Sequence, residues 1–203
     1  MIHQGKKYVI SRSTTDGKTV AVKSDGTATL TMAYYPERDA TALAGSVDES
    51  CVWRLMNDVA GQLPSDVPVS PEHILIDGEG FTLAEWSRSA DERFTAPEGY
   101  DAVWALGASA FYILMGCHVF QGLGGKAQGP STPIPVARRD SKQLSMLLCR
   151  CLAFDPKRRP SAQEIKMIAE SNLAESKAAE PALKQSNHKA PSSHLDELWP
   201  EEM

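Results

Sequence analysis

The chain has 203 residues, of which 42% are hydrophobic and 23% are charged, a composition typical of one globular domain with appendages. The net charge is −5, and most of it lies from residue 170 onward, where three lysines stand against seven acidic residues. The remaining body is close to neutral, which argues against a basic face for binding nucleic acid.

The cysteine pattern and the hydropathy favour a reduced, cytoplasmic protein. Cys149 and Cys151 lie two residues apart in a segment predicted to be helical, so their side chains point to different faces. No second closely spaced pair completes a zinc site, and buried free thiols are predicted. The N-terminus, MIHQGKKYVISRS, lacks the apolar stretch of a secretion signal. The most apolar run, residues 102–117, is shorter than the ~20 residues of a membrane span and predicts a buried helix, with no membrane as partner.

Three strands are predicted for the N-terminal part. The segments KKYVISRS, KTVAVKS and ATLTMAYY, within residues 6–35, are rich in β-branched and aromatic residues. Thr15-Asp16-Gly17 and Asp25-Gly26-Thr27 supply turn chemistry between them, so the segments predict a three-stranded antiparallel meander. Residues 36–50 are predicted to form a loop that includes one helical turn.

A helix and a hairpin are predicted next. Apolar residues recur at helical spacing over residues 49–63, with Asp48 placed as the N-cap and Pro64 as the stop. In the stretch HILIDGEGFTL, residues 73–83, Ile74 and Ile76 alternate with Leu75 and Asp77 before two Gly-containing turn pairs. It predicts two short strands joined by a tight turn.

The rest of the body is predicted to be helical. Three helices are predicted over residues 102–116, 141–153 and 162–169. Ser161 and Glu164 form the pattern of a capping box at the start of the last helix. The Gly- and Pro-rich residues 121–135 are predicted to be loop.

The C-terminal segment has a different composition. Beyond about residue 172 it is rich in Ala, Ser, Lys, Glu and Pro, which predicts disorder. Leu195, Leu198 and Trp199 fall at i, i+3 and i+4, the spacing of a short amphipathic helix that docks in a groove. These three residues are the candidate contacts to a partner protein. The alternative is a tail that folds back on its own domain or stays disordered.

Four short motifs follow one another within residues 50–170. They are Pro71-Glu72-His73-Ile74-Leu75-Ile76, Thr95-Ala96-Pro97-Glu98, Val103-Trp104-Ala105-Leu106-Gly107 and Asp155-Pro156-Lys157-Arg158-Arg159-Pro160-Ser161-Ala162. In this order they resemble four features of the protein kinase C-terminal lobe: the Pro-x-Asn-Ile-Leu end of the catalytic loop, the Ala-Pro-Glu motif, the long buried helix, and the Asp-Pro-x-x-Arg-Pro-[Ser/Thr]-Ala signature.

The resemblance implies an α+β, protein kinase-like fold. Residues 1–48 would form a reduced N-lobe built on the three-stranded meander, and residues 49–170 a mainly helical C-lobe. Residues 171–203 would form a flexible acidic tail. The N-terminal part is too short for five strands and the regulatory helix of a kinase, so one apolar face of its sheet is expected to be open to a partner.

The resemblance also implies that the catalytic chemistry is lost. Phosphoryl transfer needs an aspartate at the base position and side chains that hold Mg²⁺. The His-Arg-Asp triplet falls on Asp66-Val67-Pro68, the metal-binding asparagine on His73, and Asp-Phe-Gly on Ala84-Glu85-Trp86. No Gly-rich phosphate loop is present, and Lys23 in a Val-Ala-Val-Lys strand is expected to be a solvated lysine. No cofactor is therefore expected, and ATP and Mg²⁺ are not expected as ligands.

Glu98 and Arg159 match a pair that forms a buried ion pair in kinases. It joins the end of the activation segment to the helical subdomain. Both residues are retained here while the reactive ones are replaced, which is typical of a scaffold.

We therefore expect an inactive pseudokinase that acts as a protein-binding or regulatory scaffold, with another protein as its partner. One alternative is an atypical phosphotransferase that uses Asp66, Glu85 or His73 to hold a metal ion. The other is a purely structural subunit of a larger assembly.

Overall fold

The computed structural model describes residues 39–64, 68–77, 80–84, 90–135 and 141–186, together with the backbone of short strands between residues 2 and 33. This part of the chain contains helices and small antiparallel sheets, so the predicted α+β class is confirmed. The helices are α1 (Glu49–Ala60), α2 (Ala102–Met115), α3 (Lys142–Cys151) and α4 (Ala162–Ser186).

The described residues of the N-terminal part contain five short strands in two sheets, so the prediction of three strands there was wrong. They are β1 (Ile2–His3), β2 (Lys6–Lys7), β3 (Val9–Arg12), β4 (Thr19–Ser24) and β5 (Thr29–Ala33). The order β3-β4-β5 is antiparallel throughout, with Val22 opposite both Val9 and Thr31, and confirms the predicted meander. The prediction of one continuous first strand was wrong, because β2 pairs with β1 while β3 pairs with β4.

The predicted hairpin forms from β6 (Ile74–Asp77) and β7 (Gly80–Leu83), with Ile74 opposite Leu83. Side chains of α1 and of the residues after it hold the second strand. Asp58 Oδ2 accepts a 3.0 Å hydrogen bond from the N–H of Phe81, and Gln62 Oε1 accepts one of 2.8 Å from Leu83. These contacts satisfy backbone donors at a sheet edge where the described residues place no further strand.

Helix α1 begins as predicted and ends earlier. Asp48 caps it by accepting a 2.9 Å hydrogen bond from the N–H of Cys51. The helix ends at Ala60, so the prediction that it continues to residue 63 was wrong. Turn hydrogen bonds follow it, and Gln62 is thereby free to bind the hairpin.

Helix α2 lies at the centre of the core, with α1 and α3 packed against it. Trp104 and Phe111 are buried, as predicted. The indole N–H of Trp104 donates to Gln128 Oε1 at 3.2 Å, and Gln128 donates in turn to the carbonyl of Leu152. A Cβ added at Gly107 would lie 2.6 Å from the Cβ of Cys151, so only glycine permits this approach of α3.

Residues 121–135 are not entirely loop, which corrects that prediction. Short 3-10 helices occupy Val119–Gly122 and Gly124–Ala127. A Cβ added at Gly125 would lie 2.2 Å from the nitrogen of Pro97, and Gly125 N–H donates to the carbonyl of Thr95 at 2.8 Å. The glycine-rich segment is therefore ordered by close contact with residues 92–97.

Helix α4 is much longer than predicted. It continues to Ser186, so the predicted end at Ala169 and the predicted disorder from about residue 172 were wrong as far as Ser186. Ala, Glu and Lys dominate the added turns and are strong helix formers. Leu173 also packs against the core. At its start, Ser161 Oγ caps the N–H of Glu164 at 3.1 Å.

Candidate functional site

The positions that the resemblance assigns to the catalytic base and the metal ligands meet beside the β6–β7 hairpin. The carbonyl of His73 accepts a 2.7 Å hydrogen bond from the N–H of Ala84. The ring of His73 reaches back to Pro68, whose carbonyl oxygen lies 2.8 Å from Nδ1. All three residues are buried. Outside the described residues lie Asp66, Val67, Glu85 and Trp86.

The contacts of the His73 ring are with residues of its own turn. A carbonyl oxygen only accepts, so the proton of His73 is on Nδ1 and that nitrogen has no lone pair for a metal ion. The hydroxyl of Ser70 lies 3.1 Å from the same nitrogen. Pro68 and Ala84 carry no ionisable group. Within the described ranges, no three His, Cys, Asp or Glu side chains lie close enough to hold a metal ion. The contacts of His73 therefore hold the 68–73 turn in place.

Tyr100, which sequence reasoning missed, connects this turn to the segment before α2. Its hydroxyl accepts a 2.9 Å hydrogen bond from the backbone N–H of Val69, a buried residue. Burial raises the pKa of Tyr100, although the N–H of Val69 acts in the opposite direction. Tyr100 thereby holds the 68–73 turn against the segment that precedes α2. No local sequence signal marks a contact between residues 31 positions apart.

The predicted pair of Glu98 and Arg159 forms and is bidentate. Arg159 Nη2 donates to Glu98 Oε2 at 3.0 Å, and Nη1 donates to Oε1. Arg159 Nε also donates to the carbonyl of Ala153 at 2.9 Å. The arginine side chain is 3% exposed, whereas that of Glu98 is 41% exposed. The expectation of a buried pair is therefore correct for the arginine and wrong for the glutamate.

Asp101 is a second carboxylate on the same guanidinium, and sequence reasoning did not assign it this role. Its Oδ2 lies 3.1 Å from Arg159 Nη1, and its Oδ1 caps α2 by accepting from the N–H of Trp104 at 2.7 Å. An aspartate directly before an apolar helix is a recognisable N-cap signal. No comparable sequence signal predicts the ion pair of Asp101 with Arg159.

These contacts keep both partners of the pair charged. Hydrogen bonds from Arg159 lower the pKa of Glu98, against a smaller effect of burial. Burial lowers the pKa of Arg159, but the hydrogen bond to Glu98 and the charge of Asp101 outweigh it and leave that pKa raised. The network therefore joins the end of the Ala-Pro-Glu motif to the segment before α4 as a charged link.

A second network, the Arg93 cluster, consists of Glu72, Asp91, Arg93 and His118, and was also missed. Arg93 Nε lies 2.9 Å from Asp91 Oδ2, and Nη2 lies 3.2 Å from Glu72 Oε1. Nη1 lies 3.4 Å from Nε2 of His118. The cluster links the 68–73 turn, the 3-10 turn Glu92–Phe94 and the residues after α2.

His118 is held as a neutral ring in this cluster. It stacks on Tyr112 with centroids 4.5 Å apart and meets the ring of Phe94 edge-on at 5.5 Å. Arg93 donates to Nε2, so the proton lies on Nδ1, which is buried without a hydrogen-bond partner among the described residues. Burial and the charge of Arg93 lower the pKa of His118, which favours the neutral form.

Surface cavities lie on the helical part beside Phe154. The first, which we call the Phe154 cavity, has a volume of about 420 Å³ and is lined by residues of α3, of the 128–134 segment and of the 153–158 turn. A second, of about 440 Å³, shares Gln128, Phe154 and Asp155 with it and extends to Pro97 and Glu98. Glu98 and Ala153, which both accept hydrogen bonds from Arg159, therefore border these cavities.

The side chains of the remaining predicted site residues lie outside what the structure describes. Leu195, Leu198 and Trp199 lie outside the described residues, and their role stays a prediction. Lys23 lies in β4 opposite Leu30, where only its backbone is described.

A comparison with models of known protein families gives no match, and a search of curated proteins finds no relative. In the described part of the chain, no helix combines the length and the apolar character needed to cross a membrane. Functional inference therefore depends on the residues of this chain.

Proposed function

We propose that this chain is a catalytically inactive, kinase-like protein that functions by binding another protein. The observation that carries the proposal is that Pro68 and Ala84 both contact His73. Phosphoryl transfer requires a base at the position of Pro68 and a metal-binding carboxylate at the position of Ala84. Neither residue has an ionisable group.

Two contacts support the kinase-like assignment. The hairpin brings His73 and Ala84 into direct contact, as expected if they correspond to the two metal-binding positions. Glu98 lies in the motif that resembles Ala-Pro-Glu, and Arg159 lies in the motif that resembles Asp-Pro-x-x-Arg-Pro-[Ser/Thr]-Ala. Their bidentate ion pair joins these two motifs. Both contacts are those that a kinase-like framework would contain, whereas Pro68 and Ala84 carry no reactive group.

A binding role is supported by the accessible surface beside this framework. The cavities around Phe154 have the size of small-ligand or side-chain pockets, and Phe154 itself is 36% exposed. Large apolar side chains at the rim of a pocket are typical of protein interaction sites.

Nucleotide chemistry provides the first test. Purified full-length protein is incubated with radiolabelled ATP, with and without Mg²⁺, and ATP binding is measured in parallel by calorimetry. We expect no phosphate transfer and no Mg²⁺-dependent affinity for ATP. A Lys23→Ala variant is the matched control. Phosphate transfer that disappears in this variant would favour the phosphotransferase alternative.

Isolation of the native complex provides the second test. We expect a stoichiometric protein partner to co-purify with the tagged full-length chain from its source cells. A partner that dissociates and rebinds reversibly supports a regulatory scaffold, whereas one present only in a permanent assembly supports the structural-subunit alternative. A chain that always purifies as a lone monomer contradicts both binding roles.

A further inference from the structure

The Phe154 cavity combines an apolar lining with positive charge. Apolar contact is available from Ile134, Ala153 and Phe154. Arg150 and Arg158 lie at the same cavity, with Asp155 as the acidic residue of the lining. The combination suits a ligand that carries apolar side chains and carboxylates together.

The two arginines differ in what they already bind. Arg150 Nη2 forms a 2.7 Å ion pair with Glu164 on the first turn of α4. Arg158 is exposed, and its side chain forms no ion pair within the part of the chain that the structure describes. Asp155 Oδ1 caps its own turn by accepting from the N–H of Lys157 at 3.0 Å. Arg158 is therefore the cation available to an incoming carboxylate.

The C-terminal residues 194–203 of the chain have the complementary chemistry. The sequence HLDELWPEEM contains four acidic residues and four large apolar ones. If the segment forms a helix, Leu195, Leu198 and Trp199 would share one face of it, with Asp196 at the edge of that face. Trp is the residue type most enriched in binding hot spots.

The length of helix α4 makes it costly for this segment to reach the cavity of its own chain as a helix. Glu164 marks the cavity end of α4 through its ion pair with Arg150, and Ser186 lies ~33 Å away at 1.5 Å per residue. Leu195 is nine residues beyond Ser186, a reach of at most ~32 Å when fully extended. Nine extended residues followed by four helical ones would bring Trp199 ~38 Å from Ser186. Binding within one chain would therefore need an almost fully stretched linker, which is entropically unfavourable.

We propose that residues 194–203 of a second copy of this chain bind in the Phe154 cavity, with their acidic side chains on Arg158. Two copies exchange their C-terminal segments reciprocally, since each carries one cavity and one segment, and the result is a closed two-fold dimer. This inference rests on the proposed binding function and names one partner for it.

The test uses purified full-length protein in analytical ultracentrifugation over a range of concentrations. We expect a reversible dimer. Trp199→Ala and Arg158→Glu each weaken it by more than about tenfold, the loss expected for a hot-spot contact. Lys157→Glu makes the same charge change at the neighbouring residue, which does not line the cavity, and it leaves the dimer intact.

A mixing experiment separates exchange between copies from binding within one chain. The Trp199→Ala chain has an intact cavity, and the Arg158→Glu chain has an intact segment. When the two variants are mixed in equal amounts, the intact segment of the Arg158→Glu chain can bind the intact cavity of the Trp199→Ala chain. The mixture should therefore associate, whereas neither variant does so alone. A wild-type chain that is monomeric at every concentration, or a mixture that stays monomeric, overturns the proposal. Neither result affects the nucleotide and co-purification tests of the proposed function.

Discussion

The hydroxyl of Tyr100 lies 2.9 Å from the backbone nitrogen of Val69 and accepts its hydrogen bond. Val69 is buried, so Tyr100→Phe leaves a buried N–H without a partner. Such a loss costs about 1–3 kcal/mol of unfolding free energy. Urea denaturation of both proteins measures the difference.

Tyr112→Phe is the matched control for Tyr100→Phe. It deletes the same atom from a tyrosine whose hydroxyl makes no hydrogen bond within the described residues. We expect its stability to stay within about 0.5 kcal/mol of wild type. Equal losses in the two variants would show that Val69 does not depend on Tyr100.

The pair of Glu98 and Arg159 should respond asymmetrically to substitution. Arg159→Met removes a buried guanidinium that binds two partly exposed carboxylates and the carbonyl of Ala153, and should cost about 1.5–3 kcal/mol. Glu98→Gln leaves Asp101 on the guanidinium and removes a half-exposed charge, so we expect about 1 kcal/mol. Thermal and urea unfolding give both values.

The exposed pair of Glu92 and Lys126, 2.8 Å apart, supplies the control for this comparison. Glu92→Gln should change the unfolding free energy by less than about 1 kcal/mol, because exposed ion pairs are screened by solvent. If Arg159→Met costs no more than Glu92→Gln, the network around Arg159 does not hold the two motifs together.

Gly107→Ala should destabilise the protein by about 1–3 kcal/mol, because the new Cβ would overlap Cys151 on α3. Gly61→Ala is the control. Gly61 has helical dihedral angles, and an added Cβ would meet no atom closer than 3.5 Å. That substitution should be neutral or stabilising. Equilibrium urea unfolding distinguishes them, and a neutral Gly107→Ala would contradict the close approach of α2 and α3.

His118 should make stability fall as the solution becomes mildly acidic. Its folded-state pKa is lowered from 6.5, so below about pH 6.5 the unfolded state binds the proton more readily than the folded state. The contribution is complete above pH 6.5 and is lost as pH falls through the folded pKa. His118→Gln should flatten the profile of unfolding free energy between pH 7 and pH 5.

Glu98→Gln provides the contrast for the pH measurement. The pKa of Glu98 is lowered from 4.5, so its contribution is lost only as pH falls below about 4.5. The slope between pH 7 and pH 5 should therefore be the same in Glu98→Gln as in wild type. A wild-type slope in His118→Gln would mean that another group controls this range.

The amino-acid sequence by itself determined the α+β class, the three-stranded meander, the hairpin and the caps at Asp48 and Ser161. These features depend on residues within a few positions of one another, where alternation, helical spacing and turn chemistry act directly. The ends of α1 and α4 were missed. Capping contacts and continued packing decide such boundaries, and propensity alone decides them poorly.

The tertiary structure alone decided which distant side chains meet. Tyr100 reaches Val69, Asp101 joins Glu98 on Arg159, and His118 joins the Arg93 cluster. Each contact links separate elements, so no spacing rule predicts it. Only the motif resemblance anticipated one such pair, Glu98 and Arg159. Its uneven burial became visible only in the packed fold, because exposure depends on every element that surrounds a side chain.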